Sequence, residues 1–218
     1  MLALSRDLGV QYETAFVLAH KIRESVGATI QSEAELSGEV EVDGAYFGGH
    51  AKQENRRADR RDRRLAEERT GKRQVVVIIR ERNGRAVPVV VPRESAAVPT
   101  IRSLVASGTV IHADESAAWD VLHGSYDTHR VNHSVEFVSD DGASTNWAES
   151  YFARLRRGEI GHHHHIAGPY LAAFARESAW RENHRRQPNG TLVNLAARAA
   201  LAHPKSEQWC GYWQRSFA

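Results

Sequence analysis

The chain is poor in cysteine: Cys210 is the only one in 218 residues. A single thiol excludes an internal disulfide framework and any zinc ribbon built on cysteine pairs. Long apolar runs are also missing. None approaches the roughly 18 residues of a membrane span, and the N-terminus lacks the charged-then-apolar layout of a secretory signal. No internal repeat is visible. Hydrophobic residues at 41% and charged residues at 26% match ordinary globular protein. The length suffices for one cored domain with a small appendage, and a cytoplasmic protein is expected.

Charge of one sign is not in excess overall, with a formal net of +2, but it is unevenly spread. Lys52 to Arg73 holds ten Lys/Arg against five Asp/Glu, and further arginines crowd 154–157 and 176–186. Clustered cations suit a polyanion, because neutralising phosphates releases counterions. A solvated, charge-laced helix accounts for such runs equally well.

Residues 3–25 read as two helical pieces broken at Gly9, a spacing compatible with helix-turn-helix and with any helical hairpin. Residues 26–37 read as a Ser/Glu-rich linker. Glu39 to Asp43 alternates, placing Val40 and Val42 on one face and Asp43 on the other, with Gly44 and Gly48-Gly49 closing the strand. Val75–Arg80 and Ala86–Val91 flank Asn83-Gly84, a strong hairpin signal. A helix over Pro99–Ser107 follows, then a short buried strand over Thr109–Ala113 with Asp114 at its end. A helical Glu115–Leu122, a strand near Thr128–Asn132, and a long helix from about Pro169 to Arg185 complete the body. The residues after Pro188 carry an Ala-rich helix and an aromatic tail. This order predicts an α/β three-layer domain with a mixed central sheet, preceded by a short helical N-terminal segment.

The stretch from Ser144 to Arg157 organises the chemistry. Ala148, Tyr151, Phe152 and Leu155 fall at i, i+3, i+4 and i+7, one apolar helical stripe. Asn146, Glu149, Ala153 and Arg156 line its flank, so Glu149 sits on a rigid helix beside the core. Asp43 and Asp114 come from strand ends, with 70 residues between them and 34 between Asp114 and Glu149. Three converging acids suit hard divalent cations, which take oxygen ligands, and a pair of such ions supports in-line phosphoryl transfer. Each acid also has an ordinary role open to it. Asp114 could cap a following helix, Asn146 and Glu149 could form a capping box, and Asp43 could share a solvated face with Glu39 and Glu41.

Several of these pieces carry a family resemblance. Val42-Asp43-Gly44-Ala45-Tyr46-Phe47-Gly48-Gly49, His112-Ala113-Asp114-Glu115, Val131-Asn132-His133-Ser134, Thr145 to Ser150 running on to Leu155-Arg156-Arg157, and Arg181-Glu182-Asn183 occur in order. With them the chain resembles the DDE transposases of bacterial insertion sequences, in the ISXO-type group related to the Merlin transposons. The resemblance implies an RNase H-like (integrase-like) catalytic domain over 38–186, between a partial helix-turn-helix-like segment at 1–30 and a tail at 187–218. It implies Asp43, Asp114 and Glu149 as metal-binding catalytic acids, with Asn146 in the third role in some relatives. It implies Mg²⁺ (or Mn²⁺), as two ions. Arg156, with Arg157, takes the basic position expected to touch DNA phosphate, and Arg60, Arg61, Arg63 and Arg64 offer further contacts.

Relatives carry a zinc ribbon before a helix-turn-helix, for which this chain has neither cysteines nor room, so an N-terminally shortened copy is expected. The four consecutive histidines His162 to His165 lack the spacing of a zinc site. His163 and His164 are therefore read as a DNA-facing loop. The resulting expectation is metal-dependent cleavage and strand transfer of an insertion sequence, by a homo-oligomer on transposon-end and target DNA, associated with the nucleoid. A catalytically inactive DNA-binding remnant and a metal-dependent nuclease of the same fold are the alternatives.

Overall fold

Val75-Val76-Val77-Ile78-Ile79 is a run of five β-branched residues, each fully buried. A strand apolar on both faces belongs in the middle layer of a domain. In the computed structural model it is the heart of β2 (Arg73–Glu81). The structure describes residues 1–31, 35–48, 73–131, 144–163, 166, 168–206 and 208–211. The basic segment with Arg60, Arg61, Arg63 and Arg64, the Asn132-His133-Ser134 motif and His164 lie outside these residues.

The other strands are β1 (Glu39–Gly48), β3 (Ala86–Val91), β4 (Val110–Asp114) and β5 (Asp127–Val131), in the sheet order β3-β2-β1-β4-β5. β1, β2 and β3 run antiparallel as a meander, whereas β4 and β5 run parallel to β1. The sheet is thus mixed. The β2–β3 hairpin turns where its sequence predicts, and Asn83 takes the left-handed conformation with φ 61°. Pro88 sits in the edge strand β3, where a missing N–H breaks no inner ladder.

Among the described residues six α-helices accompany the sheet: α1 (Leu2–Leu8), α2 (Tyr12–Gln31), α3 (Val98–Leu104), α4 (Asn146–Gly158), α5 (Gly168–Asn183) and α6 (Asn189–Ala202). α4 and α5 pack on the sheet, α2 packs on α5, and α6 packs on α2. No helix among the described residues is long and apolar enough to cross a membrane.

Three local expectations are corrected. Residues 26–31 are not linker: α2 continues to Gln31, and Val26 and Ile30 are buried in the main core. Their apolar side chains continue the helical stripe, which outweighs the polar residues between them. β1 runs through Gly44 to Gly48, because antiparallel pairing with β2 extends as far as Gly48↔Arg73. The helical segment after β4 is a 3-10 helix over Ala117–Leu122, and another over Glu94–Ala97 leads into α3.

Candidate active site

Two carboxylates are set side by side by strand register. β1 and β4 are parallel neighbours with Val42 opposite Ala113, so the next residues along, Asp43 and Asp114, stand together at the C-terminal end of β4. Asp43 is partly buried and its Oδ1 accepts the Gly44 N–H at 2.7 Å. Asp114 Oδ1 accepts from the Trp119 indole at 2.7 Å and from the Ser116 N–H at 3.2 Å. Asp114 therefore steadies the turn after β4. It does not cap the following 3-10 helix, whose N-cap is Ser116.

Glu149 arrives on α4. The apolar stripe falls as its periodicity predicts, with Ala148, Tyr151, Phe152 and Leu155 all buried. Tyr151 donates its hydroxyl to the Ala175 carbonyl at 2.8 Å, tying α4 to α5. The capping box does not form. Thr145 is the N-cap and makes no side-chain cap bond, and Asn146 is exposed. The cap comes instead from another element. Glu41 of β1 is fully buried, and its Oε2 accepts the N–H groups of Trp147 at 2.8 Å and Ala148 at 3.0 Å. A carboxylate at a helix N-terminus satisfies orphan donors and complements the dipole.

Glu41 is thus no solvated neighbour of Asp43, as the strand alternation alone allowed. It joins the strand carrying Asp43 to the helix carrying Glu149. Burial raises its pKa, opposed by the Ala148 and Trp147 N–H groups and by Arg82. Nothing in local sequence marks this residue, since the N–H groups it caps lie more than a hundred positions away.

The acids lie close enough to act on one another. The Asp43 pKa is pushed up to about 7, first by burial and then by the Asp114 carboxylate; the Gly44 N–H opposes, and Glu149 and Glu94 raise it further. Asp43 therefore feels three other carboxylates, including Glu94, which sequence reasoning did not single out. Glu94 opens the 3-10 turn after β3, and only the chain fold reveals its closeness. Among the described residues no group of three or more His, Cys, Asp or Glu closes into a metal cage. Mg²⁺ does not require one, as it binds through one or two carboxylates plus water and substrate phosphate. The unrelieved negative charge at Asp43 and the all-oxygen donor set fit such an ion.

The basic and polar motif residues divide by position. Arg156 is exposed, with its guanidinium over the Phe47 ring at 5.8 Å, and Arg157 is exposed beside it. His163 is half-buried against Phe174, with ring centroids 4.3 Å apart. Burial, and then nearby Arg23, lower its pKa. Arg181-Glu182-Asn183 is structural in two of its three members. Glu182 is buried and accepts from Arg80 at 2.9 Å and from Arg154, with Arg185 at 3.5 Å. Asn183 bonds both the N–H and the carbonyl of Ala86, covering the open edge of β3. A cavity of about 620 Å³ lies among Arg23, Arg154, Arg181 and Arg185, and neither Asp43 nor Asp114 lines it.

No curated protein and no solved structure matches the chain. A family model does: that of the ISXO2-like transposase domain, over residues 35–183. The matched span runs from the residues just before β1 to Asn183, so it takes in the whole sheet, the paired aspartates, Glu149 and the buried Glu182 hub. On that match, the chain belongs to the ISXO2-like transposase family.

Proposed function

We propose that this transposase domain catalyses metal-dependent cleavage of DNA and strand transfer of an insertion sequence, with Asp43, Asp114 and Glu149 as metal-holding acids. The observation that carries the reading is the convergence on Asp43, whose carboxyl is pushed up to about 7 by burial, Asp114, Glu149 and Glu94. Negative charge gathered this way is unfavourable unless a cation or proton offsets it. The RNase H-like assignment is supported by the strand order β3-β2-β1-β4-β5, with an antiparallel meander on one side of β1 and parallel strands on the other.

When bound, Mg²⁺ would supply charge neutralisation and an activated oxygen nucleophile for in-line displacement at phosphorus. The protein's own groups orient and hold. Asp43 would present its carboxylate from within β1 and Asp114 from the end of the neighbouring β4, and Glu149 would close the site from α4, whose start is pinned by Glu41. In the first displacement water forms a bond to phosphorus while the 3′-oxygen of the element end leaves. In the second, that 3′-hydroxyl attacks a target phosphodiester, and the target's own 3′-oxygen leaves. Arg156 and Arg157 would bind flanking phosphates, as their exposure and adjacency on the last turns of α4 favour.

The test is a strand-transfer assay with Mg²⁺ on DNA carrying the flanking inverted repeats. Glu149→Gln should lose cleavage by orders of magnitude while keeping DNA binding and most of its stability, since a first-turn Glu contributes roughly 0.3–1 kcal/mol through the dipole. Asn146→Ala should do less harm, because Asn146 makes no capping bond. Cleavage that persists in Glu149→Gln but vanishes in a folded Asn146→Ala would give Asn146 the third position. Intact DNA binding without any cleavage by the native chain would favour the inactive remnant.

A further inference from the structure

Gly44 follows Asp43 directly, and the space beside it is filled. A Cβ built there would stand 2.8 Å from both Cγ and Oε1 of Glu94 and 3.1 Å from its Cδ. Gly44 is not among the glycines with positive φ, so a side chain there would meet Glu94 and force it to shift, without backbone strain. Glu94 comes from a different part of the chain, the 3-10 turn Glu94–Ala97 after β3. It is partly buried, and its other oxygen is engaged: Ser116 Oγ donates to Glu94 Oε2 at 2.7 Å. Ser116 is also the residue whose backbone N–H donates to Asp114 Oδ1 at 3.2 Å. One carboxylate thus touches the backbone next to the first aspartate and, through one serine, reaches the second.

We propose that Glu94 is a positioning residue of the transposition reaction, locking the part of β1 that carries Asp43 to the turn that orients Asp114. The proposal rests on the reading of Asp43 and Asp114 as metal ligands. Residues that hold ligand carboxylates in place raise metal affinity because the ligands then need no rearrangement on binding. The bridge has two separable parts, the steric fit against Gly44 and the hydrogen bond from Ser116. Glutamine preserves both, since its amide oxygen accepts from a hydroxyl and its shape is that of glutamate. Alanine removes both. Gly44→Ala disturbs the fit from the opposite side, by driving a methyl group into Glu94.

The experiment measures Mn²⁺ binding to the full chain, by electron paramagnetic resonance or calorimetry, with melting temperature followed alongside. Glu94→Ala should weaken Mn²⁺ binding about tenfold, the lower end of the effect expected for an outer-shell partner. Glu94→Gln should bind Mn²⁺ clearly more tightly than Glu94→Ala, any deficit against the native chain being the charge that Asp43 also feels. Gly44→Ala should weaken binding when Glu94 is present and add no further loss in Glu94→Ala. Native Mn²⁺ affinity in Glu94→Ala, with only the melting temperature lowered, would overturn the proposal in favour of simple packing. Glu94→Gln as weak as Glu94→Ala would overturn it too, making the charge the active property. Asp43→Asn and Asp114→Asn serve as controls. If both bind Mn²⁺ like the native chain, the metal reading itself falls, and the Glu94 proposal falls with it.

Discussion

Removing the charge of Asp43 should stabilise the metal-free protein, and should do so only above a definable pH. The Asp43 pKa stands at about 7 in the folded chain against 3.8 for the ordinary side chain, first because of burial and then because of Asp114. Between those values the folded protein keeps a proton that the unfolded chain has released. Stability therefore falls as pH rises through this window, and the whole penalty is present above about pH 7. Three pKa units at 1.36 kcal/mol each set a ceiling of about 4 kcal/mol. Asp43 is partly exposed, so solvent screening lowers the expected penalty to about 2 kcal/mol. In a chain of this size that is a melting-temperature change of roughly 5 °C. Asp43→Asn should accordingly melt about 5 °C above the native chain at pH 8 in EDTA, and near it at pH 4. Millimolar Mg²⁺ at pH 8 should raise the native melting temperature and leave the variant unchanged. Scanning fluorimetry at the two pH values, with and without Mg²⁺, measures all of this. A variant less stable than native at pH 8, or an equal difference at both pH values, would refute the reasoning.

Other consequences are simpler to check. Glu41→Ala should cost about 3 kcal/mol in urea denaturation, because it strands the Trp147 and Ala148 N–H donors at the start of α4. Glu182→Ala should cost about 3–5 kcal/mol by leaving Arg80 buried and unpaired, whereas Asn183→Ala should cost about 1–2 kcal/mol for two bonds to the β3 edge; neither should change Mn²⁺ affinity. Replacing Arg60, Arg61, Arg63 and Arg64 together should weaken binding to all DNA sequences alike and flatten the salt slope by about 3. An unchanged slope would return that segment to a solvated surface.

Much of this protein was legible in one dimension because the relevant signals are local. The alternation before Asp43, the five buried β-branched residues of β2, the turn at Asn83 and the stripe from Ala148 to Leu155 each follow from backbone geometry within a few residues. The family motifs are equally local, and the match over residues 35–183 agrees with the resemblance they carry. A strand ending on an acid is likewise readable at Asp114, whereas Asp43 lies within β1, which pairing with β2 carries on to Gly48. The end of α2 is not legible this way: the Ser and Glu residues within 26–37 point to a linker, although Val26 and Ile30 continue the buried face.

Tertiary structure alone decided what the acids meet. Parallel pairing of β1 with β4 brings Asp43 beside Asp114, and no local pattern specifies which strands become neighbours. Glu39 and Glu41 look equivalent in sequence, yet Glu41 is fully buried at the start of α4 and Glu39 is exposed. That difference arises because α4 covers one part of the sheet, a contact between residues over a hundred apart. Glu94 was silent in the sequence for the same reason. Its place against Gly44 exists only once the turn after β3 folds back on β1. Periodicity reports which side of an element is apolar; the energetics of a buried charge depend on partners that only the folded chain supplies.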